Sequence, residues 1–173
     1  MSLPQSPKPA KLIFSLLLKH KQLLSSVVKD LAEAFGQIDM ISPWFPFDFT
    51  SYYEPEMGKP LLRRIIAFRK LIQQDELSAV KQTANAIEQR HLENSKRCVN
   101  LDPGYLVHAR FVLATGKDYS HRIYIGNGIY ADLTLFYQGG GFQPLPWTYP
   151  DYAAQVMRSY LVRVRQKYSL DLN

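Results

Sequence analysis

A single cysteine, Cys98, is all that the sequence contains, which excludes an internal disulfide and the paired-cysteine spacing of a zinc site. A lone thiol of this kind behaves as a small apolar residue in a reducing compartment, so we expect a cytoplasmic protein. No apolar run approaches the roughly 20 residues that span a bilayer, and we expect no membrane partner. The apolar segment Leu12–Leu18 is followed at once by lysines, which predicts a buried strand rather than a signal peptide.

Several signatures of nucleotide binding and catalysis are also missing from the sequence. It contains no Gly-x4-Gly-Lys-Ser/Thr phosphate loop, no Gly-x-Ser-x-Gly elbow and no Gly-x-Gly-x-x-Gly fingerprint. Thr115-Gly-Lys117 comes nearest to a phosphate loop, but Asp118 follows the lysine. The sequence therefore does not indicate a cofactor, which stays unknown, and it contains no motif that predicts a metal site.

Composition indicates one globular domain. The 173 residues suffice for one buried core, and no spacer divides them, so we predict a flexible segment over 1–10 and a single domain over 11–173. The net charge of +6 and the pI near 9.4 favour anionic partners mildly. Solvated helix faces would explain the same charge.

The first hundred residues follow a β-α-β-β-α-β order, as in ferredoxin-like folds. Leu61 to Ile72 fits a helix or a strand, and this order favours the strand. A second proposed helix begins with Asp75 as its N-cap and ends near Leu92. The remaining predicted elements are a strand at 11–18, a helix over 21–35 that Gly36 ends, a strand at 38–45 and a strand at 97–101.

The stretch from Arg97 to Tyr137 carries the strongest strand and turn signals. Leu101-Asp-Pro-Gly-Tyr105 has the pattern of a type II turn, and a strand follows to Ala114. A hairpin around Gly126-Asn-Gly128 sets Arg122 opposite Asp132. Altogether we predict an α+β domain with a mostly antiparallel sheet of about seven strands, an added hairpin and a C-terminal helix.

Two features are predicted for the end of the chain. Gly139 to Gly141 forms a flexible loop, and a helix follows with Thr148 or Tyr149 as its cap. The buried stripe of that helix recurs every four residues and comprises Tyr152, Val156, Tyr160, Val164 and Tyr168.

Short connections bring alternate loops to the same end of a domain. One end then collects basic and aromatic segments, namely 19–21, 52–58, 96–97, 117–122 and 139–151. The opposite end collects turn residues, and we place Asp102 there as a turn-former. A functional site is therefore expected at the first end.

Candidate site residues follow from that grouping. His121 could act as a general acid/base with Glu56 or Asp118, or could instead be a structural histidine at the sheet rim. The predicted ligand-binding residues are Tyr53, Glu54, Arg97, Lys117, Arg122 and Tyr149. Glu54, Glu56 and Asp118 could alternatively hold a divalent cation.

The function predicted from these residues is binding of a phosphorylated small molecule, a nucleotide or a short RNA. One alternative is hydrolysis of a phosphate ester by His121 with Glu56. The other is a scaffold for protein contacts, which a flat aromatic surface would favour.

Four motifs together resemble a known family over about Ile13 to Tyr168; they are YYEPEMG, KRCVNLDPGYL, ATGKDYSHRIYIGNGIYADLTL and WTYPDY. The sequence is similar to the prokaryotic family catalogued as domain of unknown function 4416. The resemblance implies a compact, cytoplasmic, single-domain prokaryotic protein and carries no agreed activity.

Overall fold

A computed structural model describes residues 1–172, which are organised by a nine-stranded antiparallel sheet. The strand order is β11-β10-β8-β7-β1-β4-β2, with β3 also paired to β4 and β9 to β10, while β5 and β6 form a separate pair. The strands are β1 Ala10–Leu18, β2 Ile38–Ile41, β3 Phe45–Phe47, β4 Leu61–Ile72, β5 Leu92–Glu93, β6 Lys96–Arg97, β7 Val99–Val107, β8 Arg110–Thr115, β9 Arg122–Tyr124, β10 Tyr130–Gln138 and β11 Gly141–Pro144.

Helices cover both faces of this sheet. They are α1 Leu23–Phe35, α2 Glu54–Met57, α3 Leu77–Arg90, α4 Pro150–Ala153 and α5 Gln155–Asp171, and a 3₁₀ turn, Gln74–Glu76, precedes α3. Among the residues that the structure describes, no helix has the length and apolar character needed to cross a membrane. The α+β class, the large antiparallel sheet and the C-terminal helix are confirmed.

Strand β1 lies in the middle of the sheet, and its alternating side chains belong to two cores. Leu12, Phe14, Leu16 and Leu18 pack in one core with residues of α1 and α3. Ile13 belongs to the second core, which α5 covers with its buried side chains Met157, Tyr160, Leu161, Val164 and Tyr168. Burying each large apolar side chain contributes about 1.5–3 kcal/mol, so these two layers hold the sheet between them.

The strand predicted at 38–45 is in fact two strands, because a proline interrupts it. Pro43 has no N–H to donate to the ladder and lies between β2 and β3, which both pair with β4. Ser42 keeps the break closed, since its Oγ accepts a hydrogen bond from the backbone N–H of Ile65 at 2.9 Å. The prediction that 61–72 is a strand is confirmed by β4.

The predicted turn at Leu101-Asp-Pro-Gly-Tyr105 is wrong, because β7 runs through it without a break. Strand β1 offers β7 a continuous row of partners, from Lys11 opposite Leu106 to Leu18 opposite Val99, and the chain turns only afterwards, at 108–109. Leu101 directs its N–H away from β1, so Pro103, two residues on, has its nitrogen on the same side. The missing N–H of the proline therefore costs no bond to β1.

The predicted flexible loop at Gly139 to Gly141 is also wrong. Gly139 and Gly140 have φ of 60° and 83° and form the tight turn of the hairpin between β10 and β11. The backbone N–H of Tyr137 donates to Ala109 O at 2.8 Å, which places this turn beside the β7–β8 turn. Strand β11 then returns the chain towards Tyr149 at the other end of β10.

The C-terminal helix departs from its predicted stripe at one residue. Ala154 has an extended backbone, φ −59° and ψ 137°, and this break separates α4 from α5. The helical phase therefore restarts, so Met157 is buried while Val156 is 63% exposed. The side chains of Thr148 and Tyr149 do not cap α4. The predicted cap Asp75 lies inside the 3₁₀ turn that precedes α3, and this turn begins with a capping box of Gln73 and Glu76.

Candidate functional site: a cavity where the sheet splits

The site begins with a divergence of two neighbouring strands. Strand β8 pairs with β7 only over Gly104–Val107, where Leu113 lies opposite Gly104. Past Leu113 the two strands separate, and residues 99–103 of β7 remain paired with β1 alone. Gly104 allows the close approach that precedes the split, because a Cβ at this position would clash with the carbonyl O of Val112. The opening is a cavity of about 640 Å³, a volume typical of small-molecule sites.

Helix α3 provides hydrogen bonds where β8 has left the sheet. Glu88 Oε1 accepts the backbone N–H of Leu101 at 2.6 Å, and Lys81 Nζ donates to Leu101 O at 2.7 Å. Both side chains are buried, and unpaired backbone groups would be costly here. Burial raises the pKa of the Glu88 carboxyl, although the nearby Lys81 ammonium and the Leu101 N–H oppose the shift.

The carboxylate of Asp102 lies at the floor of the cavity. Asn100 and Asp102 point to the same face of β7, and Asn100 Nδ2 donates to Asp102 Oδ2 at 2.7 Å. Arg97 Nη1 in turn donates to Asn100 Oδ1 at 3.0 Å, and Lys81 Nζ lies 3.7 Å from Asp102 Oδ1. The prediction that Asp102 is a turn residue far from the site is therefore wrong. The sequence signal for this position was the alternation of the polar residues Asn100 and Asp102 with the buried apolar residues Val99 and Leu101.

A buried ion pair forms a second wall. Arg63 Nε lies 2.9 Å from Asp151 Oδ2, while Arg63 Nη1 donates to Tyr152 Oη at 3.0 Å and to Ser15 Oγ. Burial raises the pKa of the Asp151 carboxyl against the opposing charge of Arg63, and burial also raises the pKa of Tyr152. These contacts fix α4 to the sheet. Arg63 and Asp151 were not predicted as site residues, since nothing local in the sequence distinguishes them from surface charges.

Lys117 differs from the other cations of the cavity in its hydrogen-bond partner, which is a phenol and not a carboxylate. Its Nζ donates to Tyr52 Oη at 2.7 Å and lies 4.1 Å from the centre of the Tyr52 ring. Within residues 1–172 it has no carboxylate partner. The hydrogen bond and the charge of Lys117 lower the pKa of Tyr52.

Arg122 fixes the loop that carries Lys117. Its Nε donates to Asp132 Oδ2 at 2.9 Å and its Nη1 to Lys117 O at 3.0 Å, which confirms the predicted pairing of Arg122 with Asp132. Its Nη2 lies 3.5 Å from Tyr149 Oη, a long contact. The guanidinium also lies over the Tyr119 ring at 4.9 Å.

Five of the six predicted ligand-binding residues line this cavity: Tyr53, Arg97, Lys117, Arg122 and Tyr149. Glu54 is not among the lining residues and instead pairs with Lys59 at 3.2 Å. The grouping by alternate loops therefore brought together residues that are distant in sequence. It missed the contributions of α3, β4 and β7.

The two predicted catalytic residues have separate partners. Glu56 Oε2 accepts Arg97 Nη2 at 2.6 Å, whereas His121 Nε2 lies 3.3 Å from Asp132 Oδ2 and its ring stacks on Trp147 at 5.0 Å. His121 does not form the expected pair with Glu56 or Asp118. It contacts Asp132 instead, because Asp132 lies directly across the β9–β10 hairpin from Arg122, the residue that follows His121. Neither Glu56 nor His121 lines the cavity.

The alternative of a cation site at Glu54, Glu56 and Asp118 finds no grouping to support it. In the described part of the chain, no three acidic, histidine or cysteine side chains converge as metal ligands would. Glu54 and Glu56 are each engaged by a cation, Lys59 and Arg97 respectively.

A comparison with protein families identifies the family of this chain. The family model described as Domain of unknown function (DUF4416) matches residues 8–168, a range that includes every residue lining the cavity. No curated protein and no solved structure matches the chain.

Proposed function

Because the chain belongs to the family described as Domain of unknown function (DUF4416), a description that names no activity, we propose its function from the cavity itself. The protein binds a phosphorylated small molecule, for which a nucleotide has suitable chemistry. The cavity would hold the ligand between the aromatic segment that contains Tyr52 and the loop that contains Lys117.

The observation that carries this proposal is the position of Lys117. The other four cations of the cavity each have a carboxylate partner, in the pairs Arg63 with Asp151, Lys81 with Asp102, Arg97 with Glu56 and Arg122 with Asp132. Among the described residues, Lys117 Nζ has only the uncharged phenol of Tyr52 as a hydrogen-bond acceptor. A phosphate oxygen would be a stronger acceptor, since it would add the attraction of opposite charges to the hydrogen bond.

Arg122 supports a phosphate at the same place. Among the described residues, its Nη2 has only the long contact to Tyr149 Oη, so this donor is available to an anion beside Lys117. The Arg122 guanidinium is held rigidly by Asp132 and by the backbone of Lys117, which limits the entropy lost on binding.

Tyrosines around the cavity favour a ligand with a planar ring. Tyr52, Tyr119 and Tyr149 are each more than half exposed, and Tyr53 lies beside them in the wall. Stacking of a base on such a ring contributes about 1–3 kcal/mol. Because these aromatics surround a concave space, they support binding of a small molecule more than the alternative of a flat protein scaffold.

Hydrolysis of a phosphate ester by His121 and Glu56 gains no support from the geometry. His121 is held by Asp132 and Trp147, and Glu56 is neutralised by Arg97. We also infer a cytoplasmic location, which the single buried thiol of Cys98 supports.

Thermal shift and calorimetry at low salt test the proposed function. Wild-type protein is titrated with pyrophosphate, the common ribonucleotides and RNA oligomers, beside Lys117→Ala and Lys29→Ala, an exposed lysine of α1 outside the cavity. We expect nucleotides to raise the melting temperature and Lys117→Ala to weaken binding about tenfold or more. A response to RNA alone would replace the small molecule by a nucleic acid, and no response to any probe would refute the proposal.

A further inference from the structure

The carboxylate of Asp102 is the acceptor that the cavity presents to a ligand. Its side chain is 26% exposed, and its Oδ2 already accepts Asn100 Nδ2. Its Oδ1 has no hydrogen-bond donor among the described residues, because Lys81 Nζ at 3.7 Å is beyond hydrogen-bond length. A carboxylate oxygen can accept two hydrogen bonds, so Oδ1 has its full capacity for a ligand.

Asp102 is held in a fixed orientation. The chain from Glu56 to Arg97, Asn100 and Asp102 is continuous, with donor–acceptor distances of 2.6, 3.0 and 2.7 Å. Its backbone is paired along β1 in the middle of the sheet. An acceptor fixed in this way pays little entropy when it binds a donor.

The charges around Asp102 decide which kind of donor fits. Lys81 Nζ already lies 3.7 Å from Oδ1, the oxygen that is open to a ligand. An ammonium group bound at Oδ1 would lie beside this like charge in a partly buried place, whereas a hydroxyl group would bring no charge. The donors that suit Asp102 are therefore neutral hydroxyls.

We propose that Asp102 accepts hydrogen bonds from the hydroxyl groups of a sugar, which makes the ligand a phosphorylated sugar, either free or as part of a nucleotide. This inference rests on the proposed function, since Lys117 and Arg122 bind the phosphate. Asp102 selects the sugar. A site built to bond a hydroxyl discriminates strongly against an analogue that lacks it, because the buried acceptor is then left unpaired.

The test compares ligands with and without the hydroxyls. Calorimetry is done on wild type, Asp102→Asn, Lys117→Ala and the control Asp118→Asn, whose carboxylate is exposed and outside the cavity. The probes are the ribonucleoside monophosphates, their dideoxy counterparts and ribose phosphate. We expect wild type to prefer each ribonucleotide over its dideoxy counterpart about tenfold or more, since a hydrogen bond to a charged group is lost. Asp102→Asn should abolish this preference, while Lys117→Ala should weaken both ligands and retain it.

The outcomes separate this inference from the proposed function. Binding that depends on Lys117 but shows equal affinity for the two sugars in wild type would overturn the role of Asp102 alone. That comparison needs no variant, so it stands even where Asp102→Asn fails to fold. Absence of binding to every probe would overturn both proposals. Ribose phosphate that binds as tightly as the nucleotides would support a free sugar phosphate, and weaker binding of ribose phosphate would support a nucleotide.

Discussion

Glu88 Oε1 accepts the backbone N–H of Leu101 at 2.6 Å, so a helix side chain occupies the position where a neighbouring strand would pair. Lys81, seven residues earlier on the same helix, bonds the carbonyl of the same leucine. The backbone of Leu101 is therefore bonded on this side without β8. It follows that α3 supplies the hydrogen bonds that this residue would otherwise need from β8.

Glu88→Gln is expected to stabilise the protein at neutral pH. Burial raises the pKa of Glu88 above its ordinary value of 4.5, so ionisation costs the folded state more than the unfolded state. Wild type then loses stability as the pH rises through the window from 4.5 to the raised pKa, and glutamine removes this loss while keeping an acceptor for Leu101. Urea unfolding of wild type and Glu88→Gln at several pH values measures the difference in stability. The gain from the substitution should vanish below pH 4.5.

The companion variant Glu88→Ala distinguishes charge from hydrogen bonding. It removes the acceptor and leaves the Leu101 N–H unpaired, which we expect to cost about 1–3 kcal/mol at all pH values. Equal destabilisation by glutamine and alanine at neutral pH would mean that the ionised carboxylate stabilises the fold.

Gly104→Ala is expected to destabilise the sheet where β7 and β8 come together. The new methyl group would meet Val112 O, a backbone atom that moves only if β8 moves, and overpacking of this kind costs about 1–3 kcal/mol. Gly116→Ala is the matched control, because open space surrounds that position. Denaturant unfolding compares them, and a loss of stability no larger for Gly104→Ala than for the control would show that β8 adjusts freely.

Local pattern predicted the parts of the fold in which neighbours in sequence are also neighbours in space. The β9–β10 register follows from the alternation around Gly126-Asn-Gly128, and β1 follows from its apolar run. The Asp102-Pro-Gly signal failed because β1, some 90 residues away in sequence, supplies partners throughout β7. Long-range pairing thus overrode a local turn preference.

The site residues that could be predicted from the sequence are those in or beside the loops. Lys117, Arg97 and Tyr149 lie in or beside connections, and their grouping depends only on short links between elements. Lys81 and Glu88 interrupt the buried stripe of α3 that includes Leu77 and Ala84, which is the one sequence signal that could have identified them. Both side chains bond the backbone of Leu101, and no sequence pattern identifies a backbone group as a hydrogen-bond partner.

Lys11→Met is expected to be strongly destabilising although it replaces a charge by an apolar side chain. Lys11 is fully buried and its Nζ bonds Asp39 Oδ2 at 2.6 Å and Asp171 Oδ2 at 2.5 Å, so the variant leaves Lys167 as the one remaining cation beside both carboxylates. Breaking a buried pair costs about 3–5 kcal/mol, and because Lys167 remains we expect a loss near the lower end of this range. Lys8→Met, at an exposed lysine, is the control for thermal and urea unfolding.

The loss of stability caused by Lys11→Met should change with pH in a definite direction. Burial opposes ionisation of Asp171, but hydrogen bonds from Lys11 and Lys167 outweigh it and lower the pKa below the ordinary 3.8. A lowered carboxyl pKa gives stability that is present above the unfolded value and lost as the pH falls through the folded value. The difference between wild type and Lys11→Met should therefore shrink below pH 3.8; a constant difference would exclude the carboxylates as its cause.

Tyr52→Phe is expected to strengthen phosphate binding. The phenol of Tyr52 and a ligand phosphate compete for Lys117 Nζ, and phenylalanine removes the hydroxyl while keeping the ring that lies 4.1 Å from the ammonium. Since a hydrogen bond to a charged group contributes about 1.5–3 kcal/mol net, the affinity for pyrophosphate should rise by about tenfold or more in calorimetry. Tyr124→Phe, an equally exposed tyrosine outside the cavity, should leave the affinity unchanged. Weaker binding by Tyr52→Phe would instead make the hydroxyl a ligand contact, and Lys117 would then bind phosphate together with Tyr52 rather than in its place.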